Sequence, residues 1–285
     1  MEFNKKELIK SPLNYVGGKY KLLPKILPLF PSKIDTFVDM FTGGGNVGIN
    51  ISADKVIMND SEKVVIDLMN DWKEKGYSKA IEELDSVIQQ YGLSKTNEEG
   101  YKHIREDYNN GDRRSVMFYA MLTHSFNYQI RFNQQGNYNM PFGKNRSSFN
   151  PNMRKNFTKF VEAISDNHIF TNNDFRELDL TSLGANDFVY CDPPYLITCA
   201  SYNENDGWNE TKELALLNIL DSLNSKGVRF ALSNVLENKG KSNDILKEWA
   251  SKYNIHYLDH TYGNCNYHAK DKSNNSTIEV LITNY

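Results

Sequence analysis

Val189-Tyr190-Cys191-Asp192-Pro193-Pro194-Tyr195 is a hydrophobic run that stops on an acid, a proline pair and a tyrosine. Such a run predicts a strand over 187–191 with Asp192 just beyond its carboxyl end. Open α/β sheets place their ligands outside that end of their strands, so the run predicts both a sheet and the place of a site on it. Upstream, Thr36–Phe41 predicts a strand, followed by the turn Thr42-Gly43-Gly44-Gly45-Asn46 and a helix start at Val47–Ile51. Lys55–Asn59 predicts a second strand ending at Asp60. Ser61 then caps a helix through about Lys73, with Val64, Val65, Leu68 and Met69 on one face. Helical patterning continues over 78–90, 97–108 and 114–125, while Arg131–Lys144 has the Gly, Asn and Pro content of a hairpin or loop. Downstream, strands are predicted at His168–Thr171, Val228–Ser233, Ile255–His260 and Thr277–Thr283, with helices near 210–224 and 241–252. The alternation predicts an α/β fold with a mainly parallel sheet covered on both faces. The last two strands, joined by a loop at 263–276, predict an antiparallel edge pair. The interruption is too long for one crossover. Residues 1–77 and 161–285 are therefore assigned to the core, and 78–160 to an inserted, mostly helical domain with a β-hairpin.

Composition narrows the function classes. No stretch approaches the roughly 18 consecutive apolar residues of a membrane-spanning helix, and Met1–Lys6 does not open onto the apolar run of a secretory leader. Three cysteines (Cys191, Cys199, Cys265) are too few and scattered for a disulfide framework or a zinc site, and the histidines show no ligand spacing. A reduced, cytoplasmic setting and no metal are the expectation. The net charge of −3 does not by itself point to nucleic acid, but its distribution does. Between Arg113 and Val161 there is no Asp or Glu in 49 residues, whereas eight basic and ten aromatic side chains are interleaved. The basic set is Arg113, Arg114, Arg131, Lys144, Arg146, Arg154, Lys155 and Lys159. Basic, aromatic and Asn-rich sequence suits phosphate neutralisation with base contacts; the plain alternative is a run of surface cations.

Three motifs carry chemistry. The glycine turn after the first strand lets a ligand approach the backbone, beside an electropositive helix start, although it lacks the full dinucleotide fingerprint and could be only a tight turn. Asp60, ending the second strand, lies where a carboxylate can accept both ribose hydroxyls of an adenosine; alternatively it is an acid favoured by a helix N-terminus. The Asp-Pro-Pro-Tyr loop is the most specific. Its prolines stiffen the turn and remove backbone donors. The Asp192 carboxylate and Pro193 carbonyl can then accept the hydrogens of an aryl amine, making a poor nucleophile more tetrahedral and reactive. Tyr195 offers a flat face for an extruded base.

With these residues in place, the chain resembles the Dam-like (D12 class, alpha group) N6-adenine-specific DNA methyltransferases over nearly its whole length. Asn14-Tyr15-Val16-Gly17-Gly18-Lys19 looks like the family's N-terminal cofactor motif, and Phe41-x-Gly43-x-Gly45 like its glycine motif. Asp60 matches its ribose-binding acid, Phe170–Phe175 the segment beside the cofactor's adenine, and Asp192–Tyr195 the catalytic loop. Arg131–Gly143 resembles the target-recognition hairpin. The resemblance implies a Rossmann-like S-adenosylmethionine-dependent core, with Asp192, Pro193 and Tyr195 catalytic. Tyr15, Lys19, Asp39, Phe41, Gly43, Gly45, Asp60, Asp174, Phe175 and Asp192 would shape the cofactor pocket. Arg131, Asn133, Asn139, Lys144 and Arg146 would contact double-stranded DNA. It further implies S-adenosyl-L-homocysteine as product, a monomer, no membrane partner and residence with the nucleoid.

The implied reaction flips a target adenine and transfers the methyl group directly to N6, with no metal and no covalent enzyme intermediate. GATC is the target most often associated with such proteins. Membership of a restriction-modification system, a phage or a solitary role is left open. Departures from the family are Tyr15 where some relatives carry Trp, and the distinctive segment Tyr262–Lys272. The alternatives are N4-cytosine methylation, where Ser would be more usual than Asp192, and a catalytically silent DNA-binding protein of the same fold. Cys191 is read as a buried strand residue rather than a nucleophile.

Overall fold

The computed structural model describes residues 8–198, 207–258 and 277–285. One sheet organises them. Its strands are β1 (Thr36–Asp39), β2 (Lys55–Asn59), β3 (His168–Thr171), β4 (Phe188–Cys191), β5 (Arg229–Asn238), the two-residue β6 (Lys241–Ser242), β7 (Asn254–Tyr257) and β8 (Thr277–Thr283). The order is β3-β2-β1-β4-β5-β8-β7, with β6 paired to β5. The pairs β3–β2, β2–β1, β1–β4 and β4–β5 are parallel, whereas β8 runs antiparallel to both β5 and β7. The antiparallel edge is therefore as expected, with the last strand in sequence inserted between β5 and β7. Residues 259–276, which include the expected connecting loop, the end of the strand read at Ile255–His260, Cys265 and Tyr262–Lys272, lie outside the described residues. Cys199 does too.

β1 and β4 lie at the middle of this sheet because their side chains are apolar on both faces: Phe37, Val38, Phe188, Val189, Tyr190 and Cys191 are all at most 1% exposed. The helices are α1 (Leu23–Ile26), α2 (Lys63–Gln90), α3 (Glu98–Asn109), α4 (Ser115–Leu122), α5 (Pro151–Ala163), α6 (Glu210–Ser225) and α7 (Asp244–Ala250). α3, α5, α6 and α7 each begin on an asparagine (Asn97, Asn150, Asn209, Asn243) whose Oδ1 accepts a first-turn backbone N–H. This capping is worth about 1 kcal/mol per helix. The helix read after Ser61 and the one read over 78–90 prove to be a single element, α2, interrupted at Gly76 where φ is 67°. Lys75 bridges the interruption, reaching Asp71 on one side and Glu83 on the other. After the glycine turn the expected helix start is only a single 3-10 turn over Gly48–Asn50.

α4 is apolar all round, with Val116–Leu122 buried, and is the central rod of the 78–160 segment. Trp72 from α2 meets Tyr119 of α4 and Phe157 and Phe160 of α5 edge-on, at centroid distances of 5.2, 5.3 and 6.0 Å. This continuous aromatic packing ties α4 and α5 to α2. Between α4 and α5 the chain forms a small hairpin with an isolated bridge between Phe132 and Tyr138. Its tip, Gln134–Gly136, is exposed. No helix among the described residues is long and apolar enough to cross a membrane.

Candidate active site

The N-terminal loop reaches the sheet because two asparagines hold it there. Asn46 Oδ1 accepts from the Ser11 N–H and Asn50 Oδ1 from the Ile9 N–H. Tyr15 is thereby laid against the glycine turn. A Cβ on Gly43, where φ is +49°, would come within 2.9 Å of the Tyr15 ring. Gly43 is required both by its left-handed backbone and by that contact. Gly45 (φ +79°) has a different reason. Its missing Cβ leaves room for Met58 and Phe160, at 3.0 Å, so it serves packing beneath the turn rather than the cavity wall.

Tyr15, Lys19, Asp39, Phe41, Gly43, Asp60, Asp174, Phe175, Asp192, Pro193 and Tyr195 line one cavity of about 800 Å³ at the carboxyl ends of β1, β2 and β4. That is within the usual range of ligand pockets, about 300–1,000 Å³. At one end, Lys19 Nζ pairs with Asp192 Oδ1 at 2.8 Å and lies 5.0 Å from the Tyr195 ring centroid. The Tyr195 hydroxyl donates to the same Asp192 oxygen at 3.0 Å. Lys19 is only 5% exposed. Burial raises the Asp192 pKa, and the Lys19 ammonium and the Tyr195 hydroxyl oppose that rise.

Along the floor, Asp39 Oδ2 accepts from Thr42 Oγ1 and the Gly48 N–H, both at 3.1 Å, while the buried Oδ1 has no partner. Burial lifts this carboxyl to about 7. Asp60 Oδ2 accepts from the Gly43 N–H at 2.8 Å and Oδ1 from the Glu62 N–H at 2.9 Å. Its carboxylate therefore braces the glycine turn as well as facing the cavity. Asp174 is paired with Arg176 Nη2 at 2.7 Å, which holds its pKa down to about 2.

The opposite end is aromatic. Phe41, Phe175 and Trp208 meet at centroid distances of 5.3–5.6 Å. Sequence reasoning missed Trp208, which follows the undescribed segment 199–206. Its indole N–H donates to Glu213 Oε2 at 2.6 Å, and the fully buried Glu213 takes Asn234 and Asn243 on its other oxygen. Glu279 was also missed. It is the lone charge in the apolar strand β8, and that interruption of an otherwise hydrophobic run was the signal available.

The residues expected to face DNA are all exposed, but they are not equally uncommitted. Arg131 bonds to the side chain and carbonyl of Asn139, and Asn133 Oδ1 accepts the N–H groups of Gln135 and Asn137. These three shape the hairpin. Arg113 lies over Tyr108 and bonds to Gly136 O and Asn137; Arg114 and Arg154 pair with Asp112 and Asp85. Lys144, Arg146, Lys155 and Lys159 are exposed cations of the acid-free stretch. Asn14, beside the cavity, donates to the carbonyl of Asn127 at 3.0 Å, joining the two regions. Among the described residues there is no cluster of three or more His, Cys, Asp or Glu side chains able to hold a metal.

Residues 15–264 match the family model described as D12 class N6 adenine-specific DNA methyltransferase. The chain is 49% identical over 282 residues to the type II methyltransferase M.FokI of Planomicrobium okeanokoites, a match covering 97% of this chain and 43% of that protein. It is 48% identical over 287 residues to modification methylase StsI of Streptococcus sanguinis, covering 98% of this chain and 43% of that protein. It is also 26% identical over 254 residues to the DNA adenine methylase of Escherichia coli strain K12, covering 86% of each. This chain therefore spans less than half the length of M.FokI and StsI. Sheet order, motif order and a family match over most of its length agree: the chain belongs to the D12 class of N6 adenine-specific DNA methyltransferases.

Proposed function

We propose that this chain methylates the N6 amino group of adenine in a specific double-stranded DNA sequence, using S-adenosylmethionine. The observation that carries the reading is Asp192. Both of its described polar partners use Oδ1, and it stands on the cavity wall beside a turn without backbone donors. Lys19 and Tyr195 fix the carboxylate while it accepts hydrogen bonds from the amine, and the Pro193 carbonyl supplies the second acceptor. The Tyr195 ring stacks on the extruded base. The cavity suits the donor because the unpartnered Asp39 Oδ1 offers a buried acceptor and the Phe41–Phe175–Trp208 corner offers an aromatic wall. When bound, the donor supplies an electrophilic sulfonium methyl group; the protein supplies orientation. Labelling DNA with tritiated S-adenosylmethionine and digesting it to nucleosides tests this. Label in N6-methyl-2′-deoxyadenosine is expected, and label in N4-methyl-2′-deoxycytidine would replace the assignment.

We assign segment 78–160 to target recognition, with Lys144, Arg146, Lys155 and Lys159 neutralising phosphates. Lys144→Gln and Lys155→Gln should each flatten the dependence of log affinity on log salt by about one unit, with little change in sequence preference. Titration of a labelled duplex at several salt concentrations measures it, and an unchanged slope removes that lysine from the interface. Gly43→Ala should weaken donor binding about tenfold or more. The added methyl forces a strained left-handed alanine, costing about 1–2 kcal/mol, and displaces the Tyr15 ring. Calorimetric titration with S-adenosylmethionine reads this out directly.

A further inference from the structure

Glu279 lies behind the cavity wall, 3% exposed, on β8. Its Oε1 is 3.4 Å from the Tyr195 hydroxyl and 3.9 Å from Lys19 Nζ, and its buried Oε2 has no partner. The Tyr195 hydroxyl thus sits between two carboxylates, 3.0 Å from Asp192 and 3.4 Å from Glu279. It has one hydrogen to give and an oxygen that can accept another. The chemistry assigned to Asp192 and Lys19 does not use Glu279, and burying an acid there carries an energetic cost.

Resting on the methyl-transfer reading, we propose that Glu279 receives the proton released by methylation, passed from Asp192 through the Tyr195 hydroxyl. The balance is simple. An N–C bond forms and the donor's S–C bond breaks, its electron pair leaving on sulfur, and the amino nitrogen sheds one proton. Asp192 takes that proton and, once its carboxyl turns to present it, hands it to the Tyr195 oxygen as the hydroxyl, swung from Asp192 toward Glu279, passes its own hydrogen to Glu279 Oε1. Asp192 returns to the carboxylate form beside Lys19, and Glu279 ends neutral until it exchanges with solvent after product leaves. A neutral Glu279 also finds its unpartnered oxygen less costly to bury than an ionised one.

The groups facing Glu279 are Lys19 and Lys25 from the N-terminal segment, and Asp192, Tyr195 and Tyr190 from β4 and its loop. Burial and the Asp192 charge raise the Glu279 pKa, and the lysines oppose this. The relay needs Glu279 ionised, so its contribution is present at alkaline pH and lost as pH falls through that pKa.

The test compares wild type with Glu279→Gln and Tyr195→Phe under single-turnover conditions across pH. Glu279→Gln should be slower by about tenfold or more near pH 8, with the ratio to wild type converging toward one in acid. Tyr195→Phe, which keeps the ring but also loses the bond that fixes Asp192, should show the same pH-dependent loss on top of a pH-independent one, and the double variant should lose no more than Tyr195→Phe alone. In the protein alone, infrared spectroscopy should show a protonated-carboxyl band in acid that Glu279→Gln removes and Tyr195→Phe shifts. A pH-independent ratio, or single losses that multiply, would overturn the relay. So would a wild-type rate in Glu279→Gln. Should Glu279→Gln fail to fold, the Tyr195→Phe profile and its infrared band decide alone. Failure of wild type to methylate DNA would refute the underlying function instead.

Discussion

Asp192→Ala is expected to lower the rate of methyl transfer by about a thousandfold or more, the scale of losing a positioned acceptor together with its proton uptake. The amine's lone pair is delocalised into the base, and without an acceptor at this point nothing favours its rehybridisation. Duplex affinity should change little, because the proposed phosphate contacts lie in the 78–160 segment, away from β4. Lys19 would still keep Gly17 O at 3.1 Å and Glu279 at 3.9 Å, so its charge is not orphaned and the fold should survive. Tritium incorporation and a gel-shift titration on the same preparation measure both halves. Normal turnover in the variant would sink the catalytic assignment.

Lys19→Met should be the most damaging substitution for stability. Removing one partner of a buried pair costs about 3–5 kcal/mol, because the remaining charge stays buried without compensation; here two carboxylates, Asp192 and Glu279, lose their cation at once. Both pKa values are already raised by burial, and without the ammonium they rise further. A carboxyl whose folded pKa exceeds its unfolded one binds more protons in the folded state, so stability declines as pH rises from the unfolded pKa through the folded one. The destabilisation of Lys19→Met should therefore be smallest in acid and grow toward neutral pH. Urea unfolding at several pH values checks it; a pH-independent difference would mean that Lys19 acts through packing alone.

The parts of this molecule that were legible in sequence are those where local chemistry and fold demand the same residues. A parallel strand buried on both faces must be apolar, so β4 could be read from Phe188–Cys191, and a proline pair must end it. The glycine turn could be located, but its two glycines could not be told apart, because Gly43 answers to Tyr15 and Gly45 to Met58 and Phe160, contacts distant in sequence. The same reason hid the lock on the hairpin. Arg131 and Asn139 read as groups offered to a partner, whereas they bond to each other across the turn. Charge counting along residues 113–161 likewise could not see that Arg114 and Arg154 pair with acids just outside or far from that window. Trp208 and Glu279 stayed hidden because single residues acquire their setting only when the chain closes on itself.

That closure has a temporal side. β8 follows every other strand in chain order yet lies inside the sheet, between β5 and β7, and it delivers Glu279 to Lys19, about 260 positions earlier. A chain emerging from the ribosome can pack β1, β2, β3 and β4 as they appear, but β7 has no neighbour to pair with until β8 arrives. Until then β5 presents a raw edge, and the buried lysine has only half of its carboxylate partners. Fragments that stop short of β8 should accordingly be prone to associate through the open edge of β5, because only β8 covers that edge and gives β7 its neighbour.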